Sequence, residues 1–210
     1  MSGQPSQMAL ADFRARVADL YHRVRVDGPS ARSWAAWRAG RDELFRTHPC
    51  SPLAGHPDLD RTPFWPYDPS WRLLGTVTAA DGASVEVQPA PGVVERFDRI
   101  GTVSVARDGA SHALPLYWSA GYSGGLFLPF RDATTGRETF GAGRYLLDGA
   151  KSADLGRDGD RLILDFNFAY HPSCVWGQWL CPLPVPEAVL PMAVTVGERC
   201  PVDEPAPGAG

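Results

Sequence analysis

Arg161-Leu-Ile-Leu-Asp-Phe-Asn-Phe-Ala-Tyr170 is the clearest strand in the chain, and its reading organises the rest. Its even positions, Leu162, Leu164, Phe166, Phe168 and Tyr170, are apolar without a break, and the two-residue period of a strand places them on one face. Burying each such side chain contributes roughly 1.5–3 kcal/mol, so this face sets the register. The odd positions Arg161, Ile163, Asp165 and Asn167 then point the other way. If the sheet closes on itself or is covered by helices, Asp165 and Asn167 line a concave interior. If it does neither, they face water.

Outward from this strand, the residues after Ser51-Pro52-Leu53 form short apolar or alternating runs separated by Gly, Pro and Asp, the texture of a β meander. Strands are predicted over 71–79, 84–88, 100–106, 112–118, 126–130, 143–147, 161–170 and 192–196. Asp81-Gly82, Asp108-Gly109, Gly124-Gly125 and Asp158-Gly159 offer the positive φ angles of tight connections. Toward the N-terminus, Leu10, Phe13, Val17, Leu20, Tyr21 and Val24 recur at three and four residues and predict an amphipathic helix over 9–26. Gly28-Pro29-Ser30 interrupts it, and a second helix is predicted over 31–47 with Trp34, Trp37, Leu44 and Phe45 as its stripe. Arg38 and Asp42, one turn apart, suit a solvated ion pair worth a few tenths of a kcal/mol. The expected architecture is α+β and mainly β: two N-terminal helices packed on an antiparallel β-barrel or β-sandwich. Residues 1–50 form a helical cap of the same domain, 51–201 the β domain, and 202–210 a flexible Pro/Gly-rich tail.

Composition sets the class. The 210 residues are 44% hydrophobic and 21% charged, as in ordinary globular proteins. A chain of this length buries roughly 70% of its unfolded surface and needs no metal or disulfide staple. The formal charge is −4, without a basic footprint for phosphate backbones, so nucleic acid is not an expected partner. No apolar run is long enough for a membrane span and no export signal precedes the first helix, so the expected location is cytoplasmic. Lys151 is the only lysine beside nineteen arginines. Four cysteines form no CxxC pair, and in a cytosolic chain each is expected as a small buried apolar residue.

Three polar clusters are candidates for function. In the first, the predicted strand 143–147 presents Arg144, and a pairing of Arg144 with Asp165 across the ladder is expected, either as a structural brace or as part of a ligand cavity. The second is the loop Arg131-Asp-Ala-Thr-Thr-Gly-Arg-Glu-Thr139, dense in arginines, carboxylates and hydroxyls. Asp132 and Thr134 can cap amides there, or the loop can bind an anion or move protons. The third runs from Tyr170-His171-Pro172-Ser173-Cys174 through Trp176 and Trp179 to Cys181. Its spacing matches no zinc module, and the Trp and Cys residues suit an apolar lid or satellite core.

Read together, Gly124-Gly-Leu-Phe-Leu-Pro-Phe-Arg-Asp-Ala-Thr-Thr-Gly-Arg-Glu-Thr-Phe-Gly-Ala-Gly-Arg-Tyr-Leu-Leu147, Leu164-Asp-Phe-Asn-Phe-Ala-Tyr-His-Pro-Ser-Cys174 and Cys181-Pro182-Leu183 resemble the domain-of-unknown-function family 1684. Trp37-Arg38, Arg41-Asp42, Phe45, His48-Pro49 and Ser51-Pro52-Leu53 extend the resemblance over most of the chain. It implies one shared fold, and it implies that Arg131, Asp132, Gly136, Thr139, Gly143, Arg144, Asp165, Asn167, Cys174 and Cys181 belong to the family pattern. It brings no reaction. Thr135 and His171 stand where the family has Asn, Phe140 where it has Tyr, and Ala188 where it has Asn.

These features point first to a cofactor-independent acid/base enzyme of cyclase, isomerase, lyase or hydrolase type acting on a small organic substrate. Asp165 or Asp132 would be the base, Arg144 the charge stabiliser, and Tyr170 or His171 the proton donor. Arg131, Thr139 and Asn167 would bind substrate between walls of Trp118, Tyr145 and Trp176. The chain contains no GxGxxG, Walker, HExxH or GxSxG motif, so no cofactor and no metal are expected. A non-catalytic binding protein for an anionic ligand and a structural module are the alternatives. A homodimer is compatible with all three.

Overall fold

The computed structural model describes residues 6–54, 56, 59, 61–80, 82–121, 124–177, 179–182 and 187–201. The tail expected over 202–210, and Asp81 of the expected Asp81-Gly82 turn, lie outside them. Two helices come first: α1 (Gln7–Asp27) and α2 (Ala31–Thr47). Ser6 caps α1 by accepting a hydrogen bond from the Ala9 amide, and Ser30 and Ser33 cap α2 reciprocally. Tyr21 and Trp37 lock the pair edge to face at 5.7 Å. Arg38 and Asp42 pair at 3.2 Å, but not in open solvent. Arg38 also donates to the Thr62 carbonyl and stacks over Phe64. No helix among the described residues is long and apolar enough to cross a membrane.

Eight strands follow in one mainly antiparallel architecture: β1 (Arg72–Ala79), β2 (Ser84–Ala90), β3 (Val93–Arg107), β4 (Ala110–Ser119), β5 (Gly125–Phe130), β6 (Arg144–Asp148), β7 (Arg157–Asp158) and β8 (Arg161–Asp165). Their order is β6-β5-β4-β3-β1-β8-β7, with β2 paired to β3. The sheet does not close into a barrel. It folds over at β1, whose first half pairs with β8 (Leu73 opposite Leu164) and whose second half pairs with β3 (Val77 opposite Val103). Gly75 sits at this crossover, where a Cβ would lie 2.5 Å from Val103 and 2.6 Å from Leu164 side-chain atoms. The far edge is tied back by the reciprocal amide bonds of Tyr145 and Tyr170, which join β6 to the segment beyond β8.

The strand predicted over 161–170 ends at Asp165. Burial on both faces explains why: Leu162, Leu164 and Phe166 enter the core inside the folded sheet, whereas Ile163, Phe168 and Tyr170 enter the core between sheet and helices. Asp165 breaks the alternation by accepting the Asn167 amide and starting a 3-10 turn at Phe166–Phe168. The strand predicted over 192–196 is irregular, because the Val194 and Val196 carbonyls are taken by the Arg144 guanidinium. β3 is longer than predicted and begins at Val93. Asp108-Gly109 turns with φ of 51° and 78°, as expected for a two-residue hairpin.

Because the Gly75 crossover has no room for a side chain, Gly75→Val is expected to destabilise the fold by about 1–3 kcal/mol, measured as a shift in the urea unfolding midpoint at unchanged slope.

Candidate functional site

Arg144 does not meet Asp165. β6 pairs with β5, whereas Asp165 stands opposite Arg72 in β1. The Arg144 guanidinium is fully buried and donates to Asp132 Oδ2 at 2.5 Å and to the Val194, Val196 and Glu198 carbonyls. Asp132 Oδ1 accepts the Thr134 amide and hydroxyl, and Thr134 Oγ1 lies 3.0 Å from Thr139 Oγ1. Burial lowers the Arg144 pKa, against the opposing pull of Asp132. Its donors are spent on holding the C-terminal segment to the 131–139 loop, as a brace does. The main chain of Arg131 adds to this brace, its amide and carbonyl pairing with Ala188 and Leu190.

Asp165 and Asn167 form a second knot. Asp165 Oδ1 accepts from the Asn167 amide and Nδ2, and Tyr67 Oη approaches Oδ2 at 3.3 Å. The Asn167 side chain exchanges two hydrogen bonds with the Asp68 backbone, and the Trp34 indole donates to the Asn167 carbonyl. Burial raises the Asp165 pKa despite these donors. Both residues anchor the 65–71 segment under α2.

A third network centres on Glu198, which the sequence reading did not single out. Its carboxylate has no solvent exposure. It accepts from Arg41 of α2 at 2.6 Å, from the His171 amide at 3.2 Å and from the Trp176 indole at 3.2 Å. His171 Nε2 accepts the Phe140 amide, so the neutral ring carries its proton on Nδ1, 3.8 Å from Glu198 Oε1. Burial lowers the His171 pKa to about 4.

The open space lies elsewhere. A cavity of about 510 Å³ separates α1 from one face of the sheet. Leu10, Phe13, Arg14 and Val17 of α1 form one wall, and Glu95, Phe97, Ser119, Phe127 and Tyr145 form the other. Ser173 and Trp179–Pro182 form the rim. At its floor Asp148 ends β6. The next residues turn sharply, because Gly125 and Gly149 pack so closely that a Cβ on Gly125 would lie 2.6 Å from Gly149 Cα. This turn aims Lys151 back at Asp148, with Nζ 2.8 Å from Oδ2. Tyr170 Oη donates to the same oxygen at 2.9 Å. Burial opposes ionisation of Asp148, but the Lys151 charge and the hydrogen bonds from Lys151, Tyr170 and the Ala150 amide outweigh it and hold the carboxyl below its usual range. Burial first, and the Asp148 charge second, push the Tyr170 phenol well upward, so it stays a donor. Lys151 also borders a narrow apolar branch of about 40 Å³ that reaches Tyr21, Trp37, Tyr170, His171 and Trp176.

Of the residues expected at a site, Tyr145, Tyr170, His171 and Trp176 therefore line one cavity or the other. Asp132, Arg144, Asp165, Asn167, Arg131 and Thr139 line neither, and Trp118 is exposed on β4. The missed residues are Asp148, Lys151 and Glu198. A lone lysine among nineteen arginines was a signal for Lys151, since nothing in the composition favours that residue. Among the described residues, no group of three or more His, Cys, Asp or Glu side chains is placed to hold a metal.

Glu198→Gln is expected to cost about 3–5 kcal/mol in urea unfolding at pH 7, because it strands the buried Arg41 charge. Adding Arg41→Met is expected to recover part of that loss. A second expectation concerns pH. The folded state holds His171 neutral down to about pH 4, whereas the unfolded chain protonates it near 6.5, so the unfolded state binds more protons between these values. Stability therefore falls as pH drops from about 6.5 to 4, by roughly 3 kcal/mol from this group. The fall is expected to flatten in His171→Asn, read from unfolding curves across that window.

A solved structure is similar along most of the chain: the solution NMR structure of the uncharacterized protein from gene locus rrnAC0354 of Haloarcula marismortui. It shares 34% sequence identity and a TM-score of 0.60, over 81% of this chain and 94% of that one. No curated protein matches. The family model described as "Protein of unknown function (DUF1684)" matches residues 58–199, from before β1 to the buried Glu198, and the chain belongs to that family.

Proposed function

We propose that the cavity between α1 and the sheet binds a small, uncharged organic molecule with an apolar body and a carbonyl-like acceptor, and that Asp148 and Lys151 carry out acid/base chemistry on it. The observation that carries this reading is the pairing of Asp148 with Lys151 at the floor of a 510 Å³ space that is otherwise walled mainly by apolar and aromatic side chains, with Tyr170 hydrogen-bonded to Asp148 from outside that space.

The charge balance supports an uncharged ligand over an anion. Lys151 is matched by Asp148, and Arg14 by Glu95, on the walls of the same cavity. Of the three Lys151 donors, one is used on Asp148 in the hydrogen bonds among the described residues. Another can polarise a ligand carbonyl. Asp148, kept ionised, is then the group to accept a proton from the carbon beside that carbonyl, and Tyr170 stabilises the carboxylate between turnovers. This is the chemistry of an isomerase or lyase without cofactor. Tyr145, Phe97 and Phe127 supply the apolar wall, and the branch toward Trp176 and His171 suits a short aliphatic or aromatic end.

A thermal-shift screen with uncharged ketones, esters and amides, run beside their carboxylate analogues, tests the binding. The uncharged set is expected to stabilise the wild type, and Lys151→Met to weaken the best compound roughly 10- to 100-fold, as loss of a hydrogen bond from a charged donor does. Asp148→Asn is expected to retain binding but lose solvent-deuterium incorporation beside the ligand carbonyl. Stabilisation by carboxylates alone, or affinity unchanged in Lys151→Met, would overturn the reading.

A further inference from the structure

Lys151, the only lysine of the chain, stands at the junction of two spaces: it lines both the 510 Å³ cavity and the 40 Å³ apolar branch. Its side chain is a quarter exposed, so it is sheltered but not sealed. Asp148 Oδ2 holds Nζ at 2.8 Å, and the Tyr145 and Tyr170 ring centroids lie 5.6 and 5.3 Å from it. Both phenols donate elsewhere, Tyr145 to the Pro182 carbonyl and Tyr170 to Asp148. A positive charge at Nζ is therefore favoured by one carboxylate and two aromatic rings.

We propose that Lys151 is a Schiff-base residue: its amine condenses with the carbonyl carbon of an aldehyde or ketone, and the protonated imine takes the place of the ammonium beside Asp148. An arginine cannot do this, because its guanidinium does not give up a proton, whereas a lysine amine can. Two features assign the role. The protonated imine carries the same single charge as the ammonium, so the Asp148 pair and the ring contacts serve both. A carbonyl carbon bonded to Nζ also lies where the two spaces meet, so one substituent extends into the branch and the other into the cavity. The branch, walled by Tyr21, Trp37 and Trp176, has room for about two or three carbon atoms. The ligand class is therefore an aldehyde or ketone with one short apolar arm or none and one larger body. This inference rests on the reading of the cavity as a carbonyl site and narrows it, since esters and amides do not condense to imines.

In the first step the Lys151 ammonium releases a proton to solvent. The neutral amine forms a C–N bond to the carbonyl carbon, the C=O π pair moves to oxygen, and a proton passes from nitrogen to that oxygen. A proton from solvent then returns to the new hydroxyl, the C–O bond breaks and water leaves. One water is formed, no electrons are gained or lost, and nitrogen carries one positive charge at the start and at the end. Asp148 next takes a proton from the neighbouring carbon. The C–H pair becomes the C=C bond of an enamine, and the C=N π pair returns to nitrogen. Return of the proton and addition of water reverse these steps and free the amine.

The experiment incubates the full wild-type chain at neutral pH with benzylacetone, a methyl ketone with a phenyl-bearing body, and with sodium cyanoborohydride, which reduces an imine to a stable secondary amine. Intact mass and peptide mapping read the adduct, with the α-amine as internal reference. Folded protein is expected to be alkylated at Lys151 roughly tenfold or more faster than the same lysine in chain unfolded with guanidinium chloride. Dibenzyl ketone, with two bulky arms, is expected to leave Lys151 unmodified. A lysine that only braces Asp148 reacts in the reverse order, more slowly when folded. Alkylation no faster in the folded chain, or confined to the α-amine, would overturn the proposal, and equal labelling by dibenzyl ketone would overturn the assignment of the branch. Thermal stabilisation by benzylacetone without an adduct overturns the covalent step alone and leaves the carbonyl-binding reading in place. Neither stabilisation nor adduct overturns both.

Discussion

The burial of the Glu198 carboxylate is the constraint on which the arrangement depends. A carboxylate without solvent is strongly unfavourable unless a cation and N–H donors replace the water it loses. Arg41, the His171 amide and the Trp176 indole do so. Each of these partners belongs to a different part of the chain, so one compensated charge positions α2, the segment after β8 and the turn that leads to the cavity rim. The backbone around Glu198 contributes as well: its amide donates to the Ala169 carbonyl, and its carbonyl accepts from Arg144. The two buried arginines, Arg41 and Arg144, thus hold the C-terminal segment from opposite sides.

The cavity follows from where those anchors are and are not. α2 is pulled onto the sheet by Arg41, by Trp37 against Phe168 and by the Trp34 indole on Asn167. α1 is held chiefly through α2 and at its end through Arg25, which donates to the Asp154 carbonyl. Over β3 to β6 its N-terminal half stands off the sheet and leaves an apolar-walled space. The floor of that space is polar because β6 ends at Asp148 and the chain must turn. Asp148 is used first to cap that turn, by accepting the Ala150 amide, and its other oxygen is left for Lys151 and Tyr170. The carboxylate that caps the turn is thus also the one that meets Lys151 beside the cavity.

The helices and six of the eight predicted strands were legible in the sequence, because their signal is local. Ala31 to Thr47 needed only its apolar period and the Ser30 cap, and Asp108-Gly109 only the φ tolerance of those residues. The 161–170 strand misled for a physical reason. Its apolar alternation is real, but the chain has a core on both sides there, so Phe166 and Phe168 serve different cores and a turn between them satisfies both. The Val194 region misled in another way: it has the side chains of a strand, but a guanidinium rather than a neighbouring strand takes its carbonyls.

Of the candidate site residues named from the sequence, Tyr145, Tyr170, His171 and Trp176 border cavities. The pairing of Arg144 with Asp165 expected from the sequence is not made, since Arg144 meets Asp132 instead, and the contacts of Asp148, Lys151 and Glu198 were not legible either. The sequence by itself determined the secondary elements, the antiparallel β class and the residue types that had to be buried, since propensity, period and hydrophobicity act over a few residues. Only the tertiary structure decided which carboxylate meets which cation and where space remains. Those outcomes depend on strand order and on the desolvation of groups more than a hundred residues apart, such as Arg41 and Glu198, and no local pattern encodes them.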